Sequence, residues 1–162
     1  MALKTISSRR AHCVIKNILV AVDGSENSNR ALDFAIDLAE KYSVAITVLN
    51  VSEPPVMGAV PLEPTTVSGD SMVLFARDLR KIHEDILSKA IAHAKEVNPK
   101  VIVLSKLREG DPALEIVAEA KEYAFDIVVI GHRGEGRIRE IFWGNISEKV
   151  SHLAPCSVVI VR

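Results

Sequence analysis

Asn17-Ile18-Leu19-Val20-Ala21-Val22, followed at once by Asp23-Gly24-Ser25, is the stretch on which the fold turns. Its aliphatic residues run on without polar alternation. That suits a strand covered on both faces, as in a parallel sheet, rather than one with a wet side. Four more short runs of the same kind follow, at Ala45 to Val51, Val101 to Leu104, Ile127 to Ile130 and Ser157 to Val161.

Helical patterns fill the intervals between these runs. Ala31, Phe34, Ala35, Leu38, Ala39 and Tyr42 form one apolar stripe, and Leu79, Ile82, Ile86, Ala90 and Ala94 form another on a longer helix. Asp111-Pro112 reads as an N-cap and first helical residue, with Ala113, Ile116, Val117, Ala120 and Ala124 turned inward. A last short helix carries Ile146, Val150 and Leu153 and stops before Pro155. Strand alternating with helix predicts an α/β domain: an open, five-stranded, parallel sheet with helices on both faces, linked by right-handed crossovers. Ligands of such sheets lie beyond the carboxyl ends of the strands, where strand order reverses, so the loops after the first and fourth strands are the places to search.

The bulk properties narrow the partners. At 162 residues the chain suits a single domain. Twenty Lys and Arg against 21 Asp and Glu leave a net charge of −1, which gives no field to recruit nucleic acid or an acidic membrane surface. No apolar run reaches the roughly 20 residues that span a bilayer. Cys13 and Cys156 are too few for a disulfide scaffold and lack the clustered spacing of a zinc site, which points to a reducing cytoplasm. Residues 1–16 carry Arg9 and Arg10 without the apolar stretch of a secretory signal and read as an N-terminal arm ahead of a domain at 17–162. Ser52 to Ser71, with four prolines and two glycines, reads as a long loop, either a passive insertion or a mobile binding element.

The chemistry concentrates after the fourth strand, in Gly131-His132-Arg133-Gly134-Glu135-Gly136-Arg137 and then Gly144-Asn145-Ile146-Ser147 where the last helix begins. Glycines there can turn the backbone and bring N–H groups close to a ligand, and the helix start adds unpaired N–H groups and a positive dipole end. Asn145 and Ser147 can add donors or simply cap the helix. The inference is an anion site. It is neither a Walker loop nor a dinucleotide Gly-x-Gly-x-x-Gly turn.

The spacing Gly131, Gly134, Gly144 and a following small polar residue resembles the ATP-binding signature of the universal stress protein family. Ile18 to Ser25, Gly110-Asp111-Pro112 and Ala154 to Val159 match that family's other phrases. The resemblance spans Lys16 to Arg162. It implies a Rossmann-like fold of the adenine nucleotide alpha hydrolase-like kind and a regulatory module that binds ATP, ADP or AMP. By position, Gly131, Gly134, Gly144, Asn145 and Ser147 would hold the phosphates, with Arg133 and the flanking Ile130 and Ile146. Asp23 would meet the ribose or the adenine edge, and Val22 and Val51 would border the base. A local role for Asp23 in the turn into the first helix is equally open to its carboxylate. The signature usually has Ser or Thr where this chain has Asn145, which offers no hydroxyl to a metal; ADP or AMP is therefore favoured over a triphosphate with Mg²⁺.

Arg133, Arg137 and Arg139 suit phosphate contact or a solvated loop, and Phe142 and Trp143 suit packing. No catalytic constellation emerges: His83-Glu84 lacks a second histidine, no Gly-x-Ser-x-Gly elbow occurs, His132 in the glycine loop suits phosphate contact, orientation of a water or plain exposure, and His12, His93 and His152 have no nameable partner. Any hydrolysis is expected to be slow. The final apolar strand would need a cover at a sheet edge, and both that argument and the resemblance point to a homodimer. The alternatives are a dimeric interaction protein with a vestigial or empty pocket, and a nucleotide-cleaving enzyme of similar architecture.

Overall fold

The computed structural model describes residues 15–54, 69–132 and 146–162, with side chains from residue 76 onward in the second stretch. In chain order the elements are β1 (Asn17–Ala21), α1 (Glu26–Tyr42), β2 (Ala45–Ser52), α2 (Gly69–Val97), β3 (Val103–Glu109), α3 (Pro112–Glu122), β4 (Ile127–Gly131), α4 (Ile146–Leu153) and β5 (Ser157–Val161). The strands form one parallel sheet in the order β3-β2-β1-β4-β5. Its two edges are β3 and β5, and strand order reverses between β1 and β4.

Alternation along the strands builds two cores. Ile18, Val20, Val22, Ile46, Val48, Ile127 and Val129 face α1 and α2, while Leu19, Ala21, Leu49, Val128 and Ile130 face α3 and α4. This layering explains the unbroken apolar runs of β1 and β4: both faces of each central strand are buried. No helix among the described residues is long and apolar enough to cross a membrane.

The third strand departs from the expectation. It begins at Val103 and runs to Glu109 instead of ending at Leu104, and Ile102 and Leu104 are exposed. As an edge strand it pairs, among the described residues, with β2 alone, so Ser105, Lys106 and Arg108 can sit in the ladder without burial on every side. The stripe of α1 is also rotated from the one expected. Leu32 and Ile36 are buried with Ala31, Ala35 and Ala39, whereas Phe34 and Tyr42 lie at the margin. The helix is gripped from two sides, by the sheet and by α2, so its buried face is wider than one stripe. On α2, Leu87, Ala90 and Ala94 reach the core while Ile82 stays exposed.

Local chemistry sets the helix ends. Ser25 caps α1, its Oγ accepting from the Ser28 N–H at 3.2 Å. Asp111 caps α3 by accepting from the Leu114 N–H at 3.0 Å, with Pro112 in the first turn as expected, and its carboxylate also pairs with Lys149 of α4 at 3.2 Å. Burial alone would raise the Asp111 pKa, but the Leu114 N–H and the Lys149 ammonium outweigh it and hold the carboxyl below its usual range. Arg108 ties edge strand to helix, its guanidinium bonding Glu115 and Glu119 at 2.6 Å and Glu122 at 3.0 Å.

Candidate functional site

The carboxyl ends of β1 and β4 leave the sheet side by side, because Ala21 is in register with Ile130. Val22-Asp23 and Gly131-His132 are therefore neighbours at the point where strand order reverses, the crevice at which open α/β sheets take ligands. Asp23 is exposed there, and its Oδ1 accepts from the Ser25 N–H at 3.0 Å. The carboxylate thus organises the turn into α1, one of the two roles open to it, and an ionised carboxylate has further lone pairs for a ligand.

Around this point the expected site residues divide. Val51, Ile130 and Ile146 come together in the apolar cluster beneath α3 and α4. Val22 does not join them: its side chain is 5% exposed and lies in the opposite core, against α1 and α2, so only its backbone faces the crevice. Arg133, Gly134, Gly144 and Asn145 lie outside the described residues, as do Arg137, Arg139, Phe142, Trp143 and most of the long loop after β2.

Gly131 is needed for space rather than for an unusual turn, since the described glycines with positive φ are Gly24 and Gly110. A Cβ at Gly131 would lie 2.8 Å from the backbone C and O of Asn27 and 3.0 Å from the Ser28 nitrogen. The first turn of α1 thus fills the room that its missing side chain leaves. Beyond it, the His132 N–H donates to the Val161 carbonyl at 2.7 Å, and the Ser147 Oγ donates to the His132 carbonyl at 3.2 Å. Ser147 is only 2% exposed, so its hydroxyl clasps the start of α4 to the end of β4. The expected phosphate donor is, on its hydroxyl side, a structural tie.

The sequence reading missed the polar chain behind the site. Asn50, 2% exposed, donates from Nδ2 to the Val22 carbonyl at 2.6 Å, and its Oδ1 lies 2.6 Å from Nδ1 of His83 on α2. The available signal was Asn50 itself. An amide between Leu49 and Val51, in a strand covered on both faces, must find partners.

Burial pushes the His83 pKa below its usual value, and the nearby Glu53 carboxylate only partly offsets this. The folded protein therefore favours neutral His83. With the folded value below the unfolded value of 6.5, the stabilisation is complete above that pH and is lost as pH falls through the folded value. Thermal melts from about pH 7.5 down to about pH 5.5 should show wild type losing more stability than His83→Gln, with the difference opening below the unfolded histidine value. Parallel curves would contradict that linkage.

Comparisons with known proteins accord with this geometry. A family model described as the universal stress protein family matches residues 15–162. Universal stress protein YxiE of Bacillus subtilis is 32% identical over 150 residues, covering 92% of this chain and all of the relative. A universal stress protein solved in complex with cAMP superposes with a TM-score of 0.67 at 21% identity, covering 92% of this chain and 98% of the other. A universal stress protein family protein from Arabidopsis thaliana with AMP bound gives 0.62 at 18% identity, covering 90% of each. At these identities the two solved structures speak for a shared fold.

Proposed function

The chain belongs to the universal stress protein family, and on that premise we propose that it is a regulatory module that binds an adenine nucleotide where β1 and β4 leave the sheet. The observation that carries this reading is the meeting of exposed Asp23 with the apolar cluster of Val51, Ile130 and Ile146 at the reversal of strand order. A carboxylate accepts hydrogen bonds from a ribose diol, and aliphatic side chains cover a base. The relatives holding cAMP and AMP support an adenine ligand. In this reading the Val22 backbone borders the base, and the segment from Gly131 through Arg133, Gly134, Gly144 and Asn145 to Ser147 receives the phosphates. The ligand is ATP, ADP or AMP, and the missing hydroxyl at Asn145 favours the smaller two over a triphosphate with Mg²⁺.

Thermal unfolding with each nucleotide tests the proposal. At a concentration of about 100 times Kd the gain is about 2.7 kcal/mol, which for a chain of this size raises Tm by roughly 5–10 °C. Asp23→Ala should remove most of that gain, and Asn145→Ser should move the preference toward ATP with Mg²⁺. Folded, ligand-free protein that shows no shift with any nucleotide at millimolar concentration would sink the reading.

The protein would work in the cytoplasm as a homodimer. β5 is an edge strand with Ile160 38% exposed, and pairing with a second copy would cover it.

A further inference from the structure

The first carbonyl after β1 lies beyond the ladder. Ala21 is the final residue of β1 in register with both β2 and β4, and the Val22 carbonyl one step later takes its hydrogen bond from Asn50. The chemistry of this bond fixes the orientation of the whole chain of groups. Opposite a carbonyl at 2.6 Å the amide must present its NH₂, which turns Oδ1 toward His83, and an amide oxygen only accepts. Nδ1 of His83 therefore carries the proton. The same helix lies beside the next turn: a Cβ on Gly24, whose φ is +83°, would sit 3.4 Å from Cγ1 of Ile86, one helical turn after His83. α2 thus holds Val22 through Asn50 and lies beside Gly24 at Ile86, and Asp23 lies between the two.

We propose that Asn50 and His83 are positioning residues of the nucleotide site. The His83-to-Asn50-to-Val22 chain sets the Val22-Asp23 peptide and so aims the Asp23 carboxylate, from the face of the sheet opposite the Val51, Ile130 and Ile146 cluster. Neither residue touches the ligand. Position on α2 is thereby coupled to occupancy of the crevice. The inference rests on the nucleotide reading above for its ligand, but the lock itself can be read without one.

The test combines AMP titration calorimetry with NMR on ligand-free protein, for wild type, His83→Leu, His83→Ala, His83→Gln and Asn50→Leu. Removing one hydrogen bond of this chain should weaken AMP binding about tenfold in His83→Leu and His83→Ala. His83→Gln keeps an N–H for the Asn50 Oδ1 and should stay within about threefold of wild type. Adding His83→Leu to Asn50→Leu should cost nothing further, because both break one chain. In ligand-free spectra His83 should show the Nδ1–H tautomer. The Asp23 and Gly24 amides should move in His83→Leu, return in His83→Gln, and leave Val128 on the other side unmoved.

Equal affinities in the Leu and Gln variants, or losses that add, overturn the proposal. If wild type binds no AMP, the nucleotide reading has failed. The lock then stands on the spectra alone, and unmoved Asp23 and Gly24 amides in His83→Leu overturn it.

Discussion

Gly131→Ala should lower the melting temperature of the nucleotide-free protein by roughly 5–10 °C, for a cost of about 2–3 kcal/mol. The added methyl would lie 2.8 Å from the backbone C and O of Asn27. A flexible side chain could swing aside, but here the obstacle is the first turn of α1, held by the Ser25 cap and by the Ser28 hydroxyl donating to the Ser25 carbonyl at 2.9 Å. Helix and strand must part, and with them the layer in which Ala31, Leu32 and Ala35 pack against the sheet. A glycine that served only the approach of a ligand would leave the free protein untouched. Differential scanning calorimetry of the ligand-free variant separates the two: an unchanged Tm would mean that α1 yields, and that Gly131 serves the ligand alone.

Arg108→Met is expected to cost about 3 kcal/mol, through the carboxylates it abandons more than through the bonds it loses. The Glu119 side chain is 3% exposed and the arginine 22%. Its hydrogen bonds to Glu119, then Glu122 and Glu115, hold the guanidinium protonated well above its already high usual value. Without it, three negative side chains on one face of α3 confront one another, one of them cut off from water. Urea unfolding should show the loss, and Glu119→Gln in the Arg108→Met background should recover a good part of it, since a neutral amide is far less costly to bury. If the double variant is no more stable than Arg108→Met alone, the buried charge is not the source.

How much could be read from the residues depended on where each segment lies in the sheet. β1 and β4 are central and buried on both sides, so composition alone identifies them, and their exits locate the crevice. β3 is an edge, where polar residues are tolerated, and its second half from Ser105 to Glu109 carries no apolar signature. Val22 and Val51 look equivalent in sequence, each one residue from an acidic or polar turn. They face opposite cores because in register Ala21 pairs with Leu49, which puts Val22 level with Asn50 rather than with Val51. The Asn50–His83 contact joins residues 33 apart through a helix whose packing only the fold reveals. Ser147 illustrates the converse, since a hydroxyl beside a glycine loop suggests a ligand donor, and only the fold reveals its bond to the His132 carbonyl.

The strand order also has a consequence for how the molecule comes into being. β1 is made first and finds β2 after α1, and β3 extends the sheet on that same side. Only when β4, more than a hundred residues later in the chain, docks on the other flank of β1 do Asp23 and Gly131 become neighbours. Domains emerge from the ribosome N-terminal half first, and long-range parallel pairings form late. The crevice is thus a seam between an early half and a late half, and a chain halted after β3 could hold much of its sheet yet have nowhere for a ligand to sit.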